Sequence, residues 1–291
     1  MIRIGCVGSD NSHAMALGAI ANDPKADKRL RVPGVRLTHL YGDQAKRNQE
    51  TMAKGKFTVL VERPEDMIGQ IDAAIVVYRH GSRHFEAARP FIKAGLPIFV
   101  DKPMTASVAE ARKLVALARK HKVPITSFST VRWNRGIQQF LKKTLPKAGR
   151  ISGGVIDGPS DPMSPYDGLF FYAVHCVELM LATFGYAVKD VVATRSGKNV
   201  VATVRYKTGE LVTLNLLGEA KTRGFTMTVF SEAGMLSPDF DSGTSYSDGL
   251  KVMKQMFATG KMPLTHDQLV MTVRVLEAIV KAYKSGARER V

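Results

Sequence analysis

Short apolar runs alternate with amphipathic stretches along the first 126 residues. Met1–Val7 carries Ile2, Ile4, Cys6 and Val7 in a run that stops at Gly8, which predicts a buried strand. Ser12–Ala21 is rich in alanine and leucine and ends before Asn22-Asp23-Pro24, which predicts a helix. Further strands are expected at Val35–Leu40, Thr58–Val61, Ala73–Val77, Pro97–Val100 and Ile125–Phe128. Helices are expected at Gln44–Ala53, Pro64–Gln70, His84–Ala94 and Val108–His121, the last with Val108, Ala111, Leu114, Val115 and Ala118 on one face. Strands that are apolar throughout and alternate with helices belong to a parallel sheet covered on both sides. The expected fold over residues 1–126 is therefore a doubly wound α/β domain.

Beyond Ser127 the pattern changes. A helix (Arg135–Leu145) precedes a strand near Ile151–Ile156 and a loop containing Pro159, Pro162 and Pro165. A helix around Phe170–Phe184 follows. Several strands come next, with hairpin signals at Lys207-Thr208-Gly209 and Glu232-Ala233-Gly234. Two helices, Gly249–Thr259 and His266–Ser285, close the chain. Residues 127–291 read as an α+β domain with a mainly antiparallel, open sheet.

Composition narrows the classes. The chain has 291 residues, 45% hydrophobic and 23% charged, which excludes disordered and fibrous classes. Apolar runs break within about ten residues, short of the ~20 a membrane span needs, so no membrane partner is expected. Two cysteines, Cys6 and Cys176, are too few for a disulfide framework, and both read as buried small residues; a reducing, cytoplasmic setting and no metal are expected. The net charge of +16 raises nucleic acid as a partner, but the basic clusters are scattered and carry no interleaved stacking aromatics. A solvated basic surface is the preferred reading.

Ligands of open α/β sheets lie at the carboxyl ends of the strands. The first strand runs into Gly8-Ser9-Asp10-Asn11-Ser12-His13, where a dinucleotide loop would have glycine at Gly8, Asp10 and His13. Only Gly8 fits, and a helix cap by Asp10, Asn11 or Ser12 is the alternative. After the second strand, Asp43 either binds a ribose hydroxyl or caps the next helix, while Lys46 and Arg47 keep a 2′-phosphate open. Tyr78, Arg79 and His80 begin a basic strand-end segment that fits an anionic or hydroxyl-rich ligand, or a solvated loop. Lys102, after the strand Pro97–Val100, is odd in a core and well placed in a site; Pro103 favours an extended backbone that aims it at the crevice. In the second half, Phe171, Tyr172, His175, Glu178 and Leu179 share a helical stripe.

Together these segments resemble the Gfo/Idh/MocA oxidoreductases. The likeness rests on Ile4-Gly5-Cys6-Val7-Gly8, on the stretch from Ala94 to Pro103 ending Asp101-Lys102-Pro103, on the helix bearing His175, and on Phe257–Leu264. It implies an N-terminal Rossmann domain binding NAD or NADP through Gly8, Ser9, Asp10, Asn11, Ser12, Asp43, Tyr78, Arg79, His80 and Lys102. It also implies hydride exchange with a sugar or cyclitol hydroxyl carbon, and a homo-oligomer (dimer or tetramer) built on the C-terminal sheet. Lys102 would polarise the reacting oxygen and His175 would be the acid/base, with Tyr172 as a further catalytic group. The family's usual carboxylate one turn before the histidine is Phe171 here. Relay would then fall to Tyr172, to His175, or to a carboxylate among Asp157, Asp161 and Asp167, with Glu178 orienting His175. Two alternatives remain: a redox-neutral, NAD-dependent elimination on a glycoside-like substrate, and a catalytically inactive ligand-binding member.

Overall fold

The computed structural model describes residues 1–219 and 224–291. The first part of the chain runs β1 (Ile2–Val7), α1 (His13–Asn22), β2 (Val35–Tyr41), α2 (Ala45–Gly55), β3 (Val59–Leu60), β4 (Ala73–Val76), α3 (His84–Lys93), β5 (Ile98–Val100), α4 (Val108–His121) and β6 (Ile125–Thr126). Its strands form one sheet in the order β3-β2-β1-β4-β5-β6, every pair parallel. β4 and β5 are buried along their whole length, as their unbroken apolar runs require. The strand order reverses direction between β1 and β4. Their carboxyl ends therefore splay apart and open a crevice.

The second part contains α5 (Arg135–Gln139), β7 (Ile151–Pro159), α6 (Phe170–Phe184), β8 (Val188–Ser196), β9 (Asn199–Tyr206), β10 (Leu211–Leu217), β11 (Thr226–Ser231), β12 (Gly234–Leu236), α7 (Ser245–Thr259), α8 (His266–Ser285) and β13 (Glu289–Arg290). The sheet order is β12-β11-β7-β10-β9-β8-β13. It is antiparallel except where β7 and β10 run side by side. Alternate residues of β9 and β10 are buried, so one face is covered and the other open. α6 packs on β7 and β10, and α8 on β8 and α6. α8 starts with a reciprocal cap, in which Thr265 Oγ1 accepts the Gln268 N–H and the Gln268 side chain accepts the Thr265 N–H.

Several expected elements differ. The helix expected over Pro64–Gln70 is a single tight turn, Pro64–Met67, because Ile68 turns extended ahead of Gly69, and the strand expected over Ile125–Phe128 pairs only as Ile125–Thr126. The helix expected over Arg135–Leu145 keeps α-geometry only to Gln139, then widens over Phe140–Thr144 and tightens over Leu145–Lys147. Pro146 has no N–H with which to continue the ladder. The strand expected at Ile151–Ile156 reaches Pro159, because β10 pairs with it to that residue. The helix expected from Gly249 begins at Ser245, its first turns carrying the buried Ser245, Ser247 and Asp248. α7 also lies against α1 and β1, so it brings the second half of the chain over the crevice of the first sheet. No helix among the described residues is long and apolar enough to cross a membrane.

Candidate active site

A cleft of about 620 Å³ opens where the carboxyl ends of β1, β4 and β5 meet α6 and α7; His13, Arg79, Asp101, Lys102, Tyr172, His175 and Tyr246 are among its lining residues. A second groove, of about 410 Å³, shares Arg47, Tyr78 and Arg79 with it and runs along Ser9, Asp10, Asp43, His80 and Arg83. Together they make one trough from the end of β2 to the face of α6.

Lys102 follows the end of β5 by two residues and is 5% exposed. Its Nζ donates to the backbone carbonyl of Phe171 at 3.0 Å. The same ammonium lies 4.6 Å from the Phe171 ring centroid and 5.2 Å from that of Tyr172. Burial pushes the lysine below its ordinary range, Asp101 opposes this, and the Arg79 charge adds to it. His175 is one turn along α6 from Phe171, and its ring sits between those of Tyr172 and Phe225, with centroids 5.5 and 4.9 Å away. Burial, and then the charges of Lys102 and His13, hold this imidazole well below its usual range, so it is neutral. Its Nδ1 lies 2.7 Å from Ser129 Oγ.

The structure thus brings Lys102, Tyr172 and His175 into one cleft. Glu178, expected to orient His175, faces elsewhere: it accepts from buried Arg132 at 3.1 Å and from Thr272 at 2.8 Å. A buried carboxylate requires such a cationic partner, and Arg132 supplies it. The loop carboxylates do not replace it. Asp157 bonds Asn215 and Thr226 on the sheet, Asp161 pairs with Lys198, and Asp167 takes the Ser82 N–H and hydroxyl.

At the other end, Gly8 turns with φ +111°, a conformation that favours glycine, and a Cβ there would meet the Tyr78 backbone at 3.0 Å. The side chains at the two departed glycine positions are held against the walls of the trough. Asp10 Oδ2 accepts the Arg79 N–H, and His13 Nδ1 contacts Asp101 Oδ2 at 2.5 Å. The cap of α1 comes from Asn11, whose Oδ1 accepts the His13 N–H at 2.7 Å; Ser12 sits at the N-cap position without a side-chain cap bond. Ser9 Oγ bonds Asn48. Asp43 does not cap α2, which begins behind Gln44; its carboxylate accepts from Arg83 at 2.6 Å because that guanidinium, stacked on Tyr78, reaches it first. Arg79 donates to the Tyr166 hydroxyl at 2.7 Å, and His80 Nδ1 lies 3.7 Å from Asp167.

These residues suit a dinucleotide. The first turn of α1 presents N–H groups to an anion. Arg79 and Arg83 add positive charge. Asp43, and the buried Asp10 Oδ1 that has no partner among the described residues, are acceptors for ligand hydroxyls.

Sequence reasoning assigned no function to His13, Asp101, Ser129 or Tyr246. In the sequence His13 stands out only as a missing glycine, and Asp101 only as the neighbour of Lys102. Their joint position at the ends of β1 and β5 was the available signal. The His13 ring meets Tyr246 of α7 edge-on at 5.3 Å. Asp101 is buried, which favours its neutral form, yet the charge and hydrogen bond of His13, with Lys102, hold it below the usual carboxylate range.

A family model described as an oxidoreductase family with an NAD-binding Rossmann fold matches residues 2–128. YhhX, an uncharacterized oxidoreductase of Escherichia coli K12, is 28% identical over 123 residues, a match spanning 38% of this chain and 35% of that relative's length. The scyllo-inositol dehydrogenase of Lactobacillus casei, solved with NAD(H) and scyllo-inositol, has a TM-score of 0.85 at 12% identity, with 100% of this chain and 99% of that one covered. A probable dehydrogenase from Thermotoga maritima has a TM-score of 0.82 at 18% identity, with 99% and 98% covered. At these identities the solved structures show a shared fold across both halves of the chain.

Proposed function

We propose that the chain is a Gfo/Idh/MocA-type oxidoreductase that exchanges a hydride between NAD and a hydroxyl-bearing carbon of a sugar or cyclitol, a reading supported by the match of residues 2–128 to the model of that NAD-binding family. The observation that carries this reading is the buried ammonium of Lys102, which crosses from the end of β5 to the helix bearing His175. The bound nicotinamide would supply the two-electron acceptor or donor. Gly8, Ser9, Asn11, Ser12 and Asp43 hold its dinucleotide, with Arg79, Tyr78 and His80 lining the trough.

Oxidation of an alcohol builds negative charge on its oxygen as the proton leaves. Lys102 stabilises that charge, and burial strengthens the attraction by excluding water. His175 and Tyr172 meet the same oxygen from α6. The proton goes to an imidazole of this cleft, since neutral imidazole is a base suited to the task near neutral pH. Asp43 at the far end favours the ribose hydroxyls of NAD over the extra phosphate of NADP. Scyllo-inositol is bound by the Lactobacillus casei dehydrogenase and makes a reasonable first substrate to assay. A second copy of the chain would cover the open face of the second sheet, where Val201, Leu211 and Phe230 are exposed.

Calorimetric titration with NAD and NADP, followed by a polyol panel read by NADH absorbance, tests this. Tighter NAD binding and NADH formation with a polyol are expected. No dinucleotide binding would refute the proposal, and product without net NADH would replace it by a redox-neutral reaction. Sedimentation at micromolar protein should show a dimer or larger species.

A further inference from the structure

The cleft holds two imidazoles whose hydrogen bonds set opposite tautomers. Ser129 is fully buried. Its Oγ accepts the Val131 N–H at 3.2 Å and lies 2.7 Å from His175 Nδ1. Among the described residues, His175 Nδ1 is the acceptor available to the Ser129 hydroxyl hydrogen. A hydroxyl has one hydrogen to give, so the bond that satisfies it runs from Oγ to Nδ1. Nδ1 of His175 is then a lone pair, and its Nε2 carries the hydrogen.

His13 is arranged the other way. Its Nδ1 lies 2.5 Å from Asp101 Oδ2, and an ionised carboxylate only accepts. Nδ1 of His13 therefore carries a hydrogen; when the ring is neutral its Nε2 holds the lone pair, and the imidazolium whose charge acts on Asp101 and His175 is the same ring after it has taken a proton. Neither Nε2 has a hydrogen-bond partner among the described residues, and both side chains line the cleft. Asp101 is also the one carboxylate among the described lining residues. No acid stands on the cleft side of α6, where Phe171 occupies the turn before His175.

We propose that the His13–Asp101 pair exchanges the substrate's hydroxyl proton, while His175 remains a fixed N–H donor to the same oxygen. This rests on reading the cleft as a site of hydroxyl oxidation. In the step, the O–H bond breaks and its proton forms an N–H bond at His13 Nε2. The carbinol C–H bond breaks, and its electron pair leaves as hydride to a nicotinamide dinucleotide, which is reduced by two electrons as the C=O bond forms. The imidazolium is balanced by Asp101, so Lys102 keeps its charge for the oxygen. A carboxylate-held imidazole of this kind is a general base with a fixed tautomer. It would do the work that a carboxylate on α6 could have shared.

The test has two arms on the full-length protein. In the first, ¹⁵N-imidazole NMR of wild type, assigned with His13→Gln and His175→Gln, reads the tautomers without substrate. The expected result is hydrogen on Nε2 of His175 and on Nδ1 of His13, with the His13 preference lost in Asp101→Asn and the His175 preference lost in Ser129→Ala. Hydrogen on Nδ1 of His175 would overturn the assignment. In the second, NAD and scyllo-inositol are used at saturation. His13→Gln should lower kcat by about 10²–10⁴-fold, with calorimetric NAD affinity retained. An unchanged kcat in that variant, with scyllo-inositol turned over by wild type, would refute the proposal. If wild type oxidises no polyol, the hydroxyl-oxidation reading fails, and the NMR arm still decides the tautomers.

Discussion

The two walls of the cleft are built from different chemistry. The wall formed by the ends of β1 and β5 is charged, and its groups hold one another: His13 bonds Asp101, and Lys102 follows directly in sequence. The wall formed by α6 is aromatic and neutral: Phe171 meets Tyr172 edge to face, Tyr172 lies tilted against His175, and the imidazole is held by a serine hydroxyl. The walls meet where Lys102 donates to a backbone carbonyl of α6. Charge therefore comes from the strand ends, where loops can present it, while the helix supplies shape and neutral donors. Each wall can be broken separately.

The largest effect is expected behind the α6 wall. Arg132 and Glu178 are a buried ion pair, their side chains 8% and 3% exposed, joining the Thr130–Trp133 turn to α6. Glu178→Ala leaves the guanidinium buried and unpaired, at a cost of about 3–5 kcal/mol of folding stability by denaturant titration. Arg3→Ala, which breaks an exposed pair with Asp72, is the comparison, and should cost far less, because water screens that pair.

Next comes the charged wall. Lys102→Ala should lower kcat/KM for a polyol by roughly 10²-fold or more, since the developing oxyanion loses its cation. Dinucleotide affinity, measured by calorimetry, should fall far less.

The neutral wall has a pH signature. The folded-state value of His175 lies below its ordinary 6.5, so in the window between them the unfolded chain binds the proton and the folded chain does not. Stability therefore rises with pH through that window and is lost as pH falls below 6.5. The His175 contribution to the slope is at most about 1.4 kcal/mol per pH unit. His175→Gln should flatten it, as read by urea titrations at several pH values. An unchanged slope would place the acid sensitivity elsewhere.

The smallest effect tests the junction. Phe171→Ala keeps the carbonyl that Lys102 uses but removes the ring beneath its ammonium, a contact worth roughly 0.5–2 kcal/mol. A few-fold loss in kcat/KM is expected, and none at all would mean that the ring only fills space.

The parallel sheet was readable because its strands are continuous apolar runs separated by amphipathic helices, and Phe170–Phe184 and His266–Ser285 emerged with the bounds their periodicity gives. Lys102 and His175 were readable because each is a polar residue where an apolar one would be expected. The partners of these residues were not. Ser129 bonds His175 across 46 positions, and His13 meets Asp101 across 88; spacing along the chain carries no trace of such contacts. Glu178 shows the opposite error. Helical spacing set it beside His175, yet Arg132 claims it from another segment, because a buried charge goes to its counter-ion.

The central claim is that one buried ammonium serves hydride exchange on a hydroxyl-bearing carbon. The most direct measurement is NADH formation from NAD and a panel of polyols by wild type and Lys102→Ala at saturating dinucleotide. Steady NADH production by wild type, reduced at least about 10²-fold in the variant, is the predicted result. Equal rates in the two proteins would contradict it.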